Sequence, residues 1–310
     1  MGVSRILILE RNKLILRKVA RILMCTGVEV IPTEDPAELN RYLDGTPAIL
    51  CADSVDIATV MGVLQNNPTI RAVCWTATKT DTLLPFADRE PRLGHFLGRN
   101  KDDPPREWEL LWVMRRLLSG EAPGLASLLA WGYTGFKESI RTSQQRDACV
   151  EGVVRFCEKL NVPGRVREMF GELAHELLMN AMFDAPVDAS GRHKYAADRK
   201  AQINLEPQEA ATIRCASDGM RMVLSVTDPF GGLPRSSIFA GIARGLKGGE
   251  MDTSHGGAGL GMLYIYRSSA ISIFDVVPGR MTQVTGVYEL DTNQREFRNL
   301  PRSLHYFGNA

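Results

Sequence analysis

"SHGGAGLGMLYIY", residues 254–266, places four glycines within six positions and then turns apolar with helical spacing. Glycine inside a helix or strand costs roughly 0.5–1 kcal/mol relative to alanine. A cluster of this density marks either a plain surface turn or a point where backbone must come very close to something else. The following run reads as a helix, so the glycines fall at a helix N-terminus, where free N–H groups and the helix dipole favour an anion.

Two further stretches of the same half carry chemistry. In "HELLMNAMFDAP" (175–186), Glu176 and Asn180 are four residues apart and share one face of a long helix. In "VTDPFGGLP" (226–234), a strand ends in Asp228 and is followed by Gly231 and Gly232. Around them, FKESIRT (136–142) reads as a strand. A Ser143-capped helix to about Leu160 and a Pro163-started helix through Met182 come next. ATIRCAS, Asp218–Gly219 and MRMVLSVTD form a hairpin whose dipeptide suits a type I′ turn. ISIFDVV and TQVTGVYEL supply two more strands. Helices segregated from an antiparallel sheet predict an α+β sandwich.

The first half differs. RILIL (5–9), VEVI (28–31), AILC (48–51), RAVCW (71–75) and HFL (95–97) read as strands separated by helical patterns. DPAELNRYL opens with an Asp cap and a Pro at the first helical position, and PREWELLWVMRRLL closes the half as an amphipathic helix. Strand–helix alternation predicts a doubly wound parallel sheet. The expected organisation is an α/β domain over 1–118, a linker over 119–130 containing SGEAPG, an α+β domain over 131–292, and a polar, frayed tail over 293–310.

The 310 residues suit about two domains. With 37 basic and 36 acidic residues the net charge is +1, which offers no global attraction to nucleic acid or anionic membrane. No apolar run reaches the ~18 residues of a spanning helix. MGVSRILILERNK turns charged too early for a secretory leader. The expectation is a soluble, cytoplasmic protein with no nucleic-acid or membrane partner. Six scattered cysteines without a CxxC pair argue against zinc or a disulfide framework. No P-loop pattern occurs.

Glu176-Leu-Leu-Met-Asn180, Asp228-Pro-Phe-Gly231-Gly232 and Gly257-Ala-Gly259-Leu260-Gly261 together resemble the nucleotide boxes of the GHKL superfamily of ATPases, which includes histidine kinases, type II topoisomerases and anti-sigma-factor serine kinases. Each box alone is a common accident; three in the family's order are specific. Taken singly, Glu176 and Asn180 read as a solvated helical pair, Asp228 as a turn cap, and the glycines as a surface loop. The resemblance spans about 131–290 and implies Mg-ATP as the ligand. Asn180 is then the Mg²⁺ ligand through its hard carbonyl oxygen, and Glu176 the catalytic base. Asp228 accepts from the adenine amino group, Gly232 makes room for the base, and Gly257, Gly259, Leu260 and Gly261 surround the phosphates. Thr282 occupies the place of a nucleotide-directed threonine on a later strand.

Departures are visible as well. Phe230 stands at the acidic box's usual first glycine, and Phe183 replaces a basic residue frequent in histidine kinases. Asp184 falls one position from an acid of some topoisomerase-like members and takes no firm role. Residues 233–255, with Arg244 and Lys247, read either as a mobile lid over phosphates or as a solvated loop. Met179 and Met182 read as core. No histidine lies between His95 and His175, so a phosphoacceptor histidine on a preceding helix is missing, and His175 itself reads as structural. The layout is closest to the anti-sigma serine kinases, which phosphorylate a partner.

The first half resembles a response-regulator receiver domain, with Asp53 at the phosphoacceptor place and Thr76-Ala77 at the switch position. The metal-binding acid pair is reduced to Glu10 and Arg11, the arginine standing in for the metal by charge, and the fifth-strand Lys-Pro is replaced by Arg99-Asn100. That implies a degenerate receiver used for docking or sensing; an unrelated flavodoxin-like domain is the other reading. The whole implies a bacterial signalling protein that binds Mg-ATP and acts on, or switches, a protein partner as a kinase or ATPase. The alternative is a non-catalytic nucleotide-sensing adaptor. Oligomeric state stays open.

Overall fold

A computed structural model of the chain describes residues 3–246 and 258–308. It is a mixed α/β protein built as two compact units, the first running to Leu128 with Arg298–His305 added, the second comprising Leu129–Phe297 and the residues from Tyr306.

In the first unit, β1 (Arg5–Leu9), β2 (Glu29–Thr33), β3 (Ala48–Asp53), β4 (Ile70–Thr76) and β5 (Leu93–Gly98) form a parallel sheet in the order β2-β1-β3-β4-β5. β3 is buried along its whole length, as befits the centre of a parallel sheet. Helix α1 (Lys13–Met24) starts at Asn12, whose side chain accepts from Leu14 N and Ile15 N, and it buries Ile15, Leu16, Val19, Ala20 and Leu23 as one stripe. Asp35 caps the short α2 (Pro36–Leu39), with proline in its first turn. The series continues with α3 (Ile57–Asn66), α4 (Leu84–Arg89) and α5 (Glu107–Ser119), which ends at a left-handed Gly120.

The second unit contains β6 (Thr134–Ile140), α6 (Ser143–Lys159), α7 (Gly164–Met179), β7 (Ala211–Ser217), β8 (Arg221–Asp228), α8 (Arg235–Leu246), α9 (Ala258–Arg267), β9 (Ile271–Val277) and β10 (Met281–Glu289). Its strands pair antiparallel in the order β9-β10-β8-β7-β6. Helix α7 packs on α6, α9 and β8, and Phe170 meets Tyr288 edge-on at 6.1 Å.

Several local expectations change. The cap of α6 is Thr142, which forms a reciprocal box with Gln145, whereas Ser143 is buried and accepts from Ile203 N at 3.1 Å. The β7–β8 hairpin turns on Gly219–Met220: Gly219 has φ 86°, the conformation a glycine-first two-residue turn requires. Asp218 instead accepts from Met220 N and Arg221 N, at 2.9 and 2.7 Å.

The largest change is the tail. The sequence of residues 293–310 reads as a frayed tail, yet their described part forms α10 (Gln294–Asn299) and β11 (Ser303–Gly308). Leu304 and His305 of β11 pair antiparallel with Phe96 and His95 of β5. Gly98 N donates to Ser303 Oγ at 2.9 Å, and fully buried His305 contacts Glu109 on α5 at 2.8 Å. Burial alone would raise the Glu109 pKa, but His305 and Arg106 outweigh it and hold the carboxyl below its usual range. Polar residues that look like surface in the sequence thus close the edge of a sheet.

Candidate functional site

The α7–α9 seam brings residues of the first and third boxes together. Gly261 is buried in α9, and a methyl group added to it would lie 2.9 Å from Glu176 Oε2 and 3.8 Å from Asn180 Oδ1. A side chain at 261 would press on the end of Glu176, whereas Asn180 lies at ordinary contact distance. Asn180 opens a π-helical turn, Asn180–Asp184, in which Ala185 N donates to Asn180 O at 2.9 Å. Such turns gather at functional sites, and nothing in the sequence pattern announces this one. The Asn180 Nδ2 atom is buried without a hydrogen-bond partner among the described residues. A buried amide left open costs about 1–3 kcal/mol. The π turn also packs against β8.

At the end of β8, Asp228 is 6 % exposed and sits opposite Thr282 of β10. Burial pushes its pKa up to about 6, against the opposing pull of the Phe230 and Gly231 N–H groups and of Thr282. Oδ1 accepts from Phe230 N at 2.9 Å. Thr282 Oγ1 favours the ionised Asp228 by proximity but makes no well-formed hydrogen bond among the described residues.

The two glycines that follow differ in kind. Gly231 has φ 63°, and an added methyl would strike Val277 O at 2.1 Å, so the fold itself demands glycine there. Gly232 is exposed, and nothing lies within 4 Å of where its methyl would be. The fold does not need glycine at 232.

Gly259 and Leu260 fall in the first turn of α9; Gly257 lies outside the described residues. Of the expected lid, residues 247–255 also lie outside them, whereas its beginning is the helix α8, packed on α9, with Arg244 exposed. Phe183 is fully buried under the Arg146 guanidinium, 5.5 Å from its ring centroid, so that position is core, as are Met179 and Met182. Asp184 is paired with Arg199, a structural use.

The acidic end of the first unit is filled from within. Asp53, 3 % exposed, pairs with Arg99 through both Nε and Nη2, at 3.2 and 2.5 Å. Arg11 does not take the metal's place between Glu10 and Asp53: it forms a fork with Asp56. Glu10 accepts from the Trp75 indole at 2.8 Å and from Asn12 N at 2.9 Å. Thr76 accepts from Ser54 at 3.0 Å.

Among the described residues, no group of three His, Cys, Asp or Glu side chains is arranged to hold a metal, and no helix is long and apolar enough to cross a membrane. No family model matches the chain, and no curated protein matches it. A solved pilus assembly-related protein of Burkholderia pseudomallei overlaps 39% of this chain and 94% of its own at 20% identity and a TM-score of 0.32. The SiaB-SiaC complex from Pseudomonas aeruginosa overlaps 50% and 88% at 13% identity and a TM-score of 0.31. At these scores neither neighbour assigns a function to the chain.

Proposed function

We propose that the second unit binds Mg-ATP at the end of α7 and that the protein is a bacterial signalling component that acts on, or switches, a protein partner. The observation that carries this reading is the α7–α9 seam, where the Gly261 backbone lies beside Glu176 and Asn180 and the buried Asn180 amide nitrogen has no partner among the described residues. The residues fit the ligand. Ionised Asp228 accepts from the adenine amino group, a donor that guanine lacks at that position. The open space at Gly232 accommodates the base. The N–H groups of the first turn of α9 face the phosphates, with the helix dipole favouring negative charge. Asn180 would supply a protein oxygen to Mg²⁺, and the ion would neutralise phosphate charge. Glu176 takes the proton of the attacking hydroxyl, a role typically worth 10²–10⁴-fold.

Glu176→Gln should retain nucleotide and lose turnover, whereas Asn180→Ala should lose Mg²⁺-dependent affinity and turnover together. Calorimetry and phosphate release on the two variants test this; turnover by Glu176→Gln at the wild-type rate removes Glu176 as the base.

A second reading is favoured by the first unit, whose Asp53 is occupied by Arg99. Here that unit docks a partner without being phosphorylated, and nucleotide in the second unit sets conformation rather than chemistry. Wild-type protein that binds ATP, changes partner affinity and shows no turnover supports it.

A further inference from the structure

The seam between α7 and α9 has a second contact one helical turn from the candidate site. Tyr264 lies three residues after Gly261 on α9, and Glu172 lies four residues before Glu176 on α7, so both pairs share the faces that meet. The Tyr264 hydroxyl donates to Glu172 Oε2 at 2.5 Å and approaches Met169 O at 3.3 Å. Burial, with the facing Glu172 carboxylate, raises the phenol pKa, so the hydroxyl stays a donor. Glu172 is otherwise exposed and Tyr264 half-buried.

The need for such a contact follows from Gly261. Interhelical spacing is normally set by interdigitating side chains, but at Gly261 there is none, and the carboxylate of Glu176 faces bare backbone. Apolar packing nearby brings the helices together without fixing their separation at this point to a few tenths of an ångström. A charge-assisted hydrogen bond does, because its strength depends steeply on distance and angle.

We infer that Tyr264, through Glu172, is a positioning residue that fixes the distance of the glycine-bearing first turn of α9 from Glu176 and Asn180, and thereby the register of the nucleotide's phosphates against Asn180. This rests on the Mg-ATP reading above. It concerns the phosphate end alone, since Asp228 and Gly232 belong to a different element.

The test uses the full chain with three probes: ATP with Mg²⁺, ATP with EDTA, and AMP. Tyr264→Phe should weaken Mg-ATP binding about tenfold, the scale of one hydrogen bond to a charged group, and leave AMP affinity unchanged. Glu172→Ala should do the same, and the double variant no more than either. Glu172→Gln, whose neutral amide oxygen still accepts from the phenol, should recover part of the loss. A Tyr264→Phe variant that binds Mg-ATP like the wild type overturns the inference. So does equal weakening of AMP and Mg-ATP, or failure of Glu172→Gln to rescue. Should Tyr264→Phe fold poorly, exposed Glu172 carries the test alone. Wild-type protein that binds neither ATP nor AMP removes the Mg-ATP reading, and this inference with it.

Discussion

The acidic end of the first unit and the polar end of α7 in the second are both places where charged and polar groups collect, and they are satisfied in opposite ways. In the first, Asp53 has Arg99, Arg11 has Asp56, and Glu10 has the Trp75 indole. In the second, the buried Asn180 Nδ2 has no hydrogen-bond partner among the described residues. An unsatisfied buried polar group costs stability, so a chain that fills one cluster and leaves another open points to the open one as the place for a ligand. In the first unit these charged groups are part of the fold.

The sharpest way to break the contrast is to reopen the filled site. The Arg99 and Asp53 side chains are 8% and 4% exposed. Removing one partner of a pair this buried leaves an uncompensated charge and typically costs about 3–5 kcal/mol. Arg99→Ala should lower stability in urea denaturation by that order; a loss below about 1 kcal/mol would mean the pair is held loosely. In wild type, acetyl phosphate or beryllofluoride with Mg²⁺ should leave Asp53 unmodified by mass spectrometry and NMR. Modification there would give the first unit the role of a phosphorylation switch.

Asp228 should behave in the opposite sense. Its folded pKa of about 6 lies above the ordinary 3.8, so between these values the folded chain holds the proton more tightly than the unfolded one. The stability linked to that proton is full below pH 4 and is lost as pH rises through 6. Two units correspond to about 3 kcal/mol. Asp228→Asn, which avoids burying a charge, should therefore raise thermal stability at pH 8 by up to this amount, with the gain vanishing near pH 4. The same variant should bind ATP more weakly. Wild-type affinity should itself fall as pH drops below 6. Loss of stability in Asp228→Asn at pH 8 would show that the buried carboxylate serves the fold.

The adjacent glycines give the smallest and most local contrast. Gly231→Ala meets a carbonyl at 2.1 Å with φ 63° and should cost about 2 kcal/mol or more. Gly232→Ala meets nothing within 4 Å and should change stability by less than about 0.5 kcal/mol, yet it should weaken ATP binding. Calorimetry beside thermal melts separates the two; a Gly232 variant that binds ATP normally takes this glycine out of the site.

What the sequence discloses follows the range of the forces involved. The strands and helices are legible because each repeats its apolar pattern locally, as in α1 and the fully buried β3. The spacing of Glu176, Asn180 and Gly261 is legible because helix geometry and glycine chemistry are local rules. Hidden features depend on distant partners. His305 joins Glu109 across 196 positions, so a strand reads as a frayed tail. Arg11 faces Asp56 and not the metal's place, a choice made by side-chain reach across the sheet end. The π turn at Asn180 and the Tyr264–Glu172 contact arise from how α7 packs on its neighbours, and no spacing within either segment encodes them.

A calorimetric titration of ATP into the full chain, with Mg²⁺ and with EDTA, decides whether the end of α7 is a nucleotide site. One site per chain is expected, tighter with Mg²⁺ than without, with GTP bound more weakly and the Mg²⁺ effect abolished in Asn180→Ala. Absence of ATP binding, or binding that is indifferent to Mg²⁺, to Asn180 and to Asp228 alike, would contradict it.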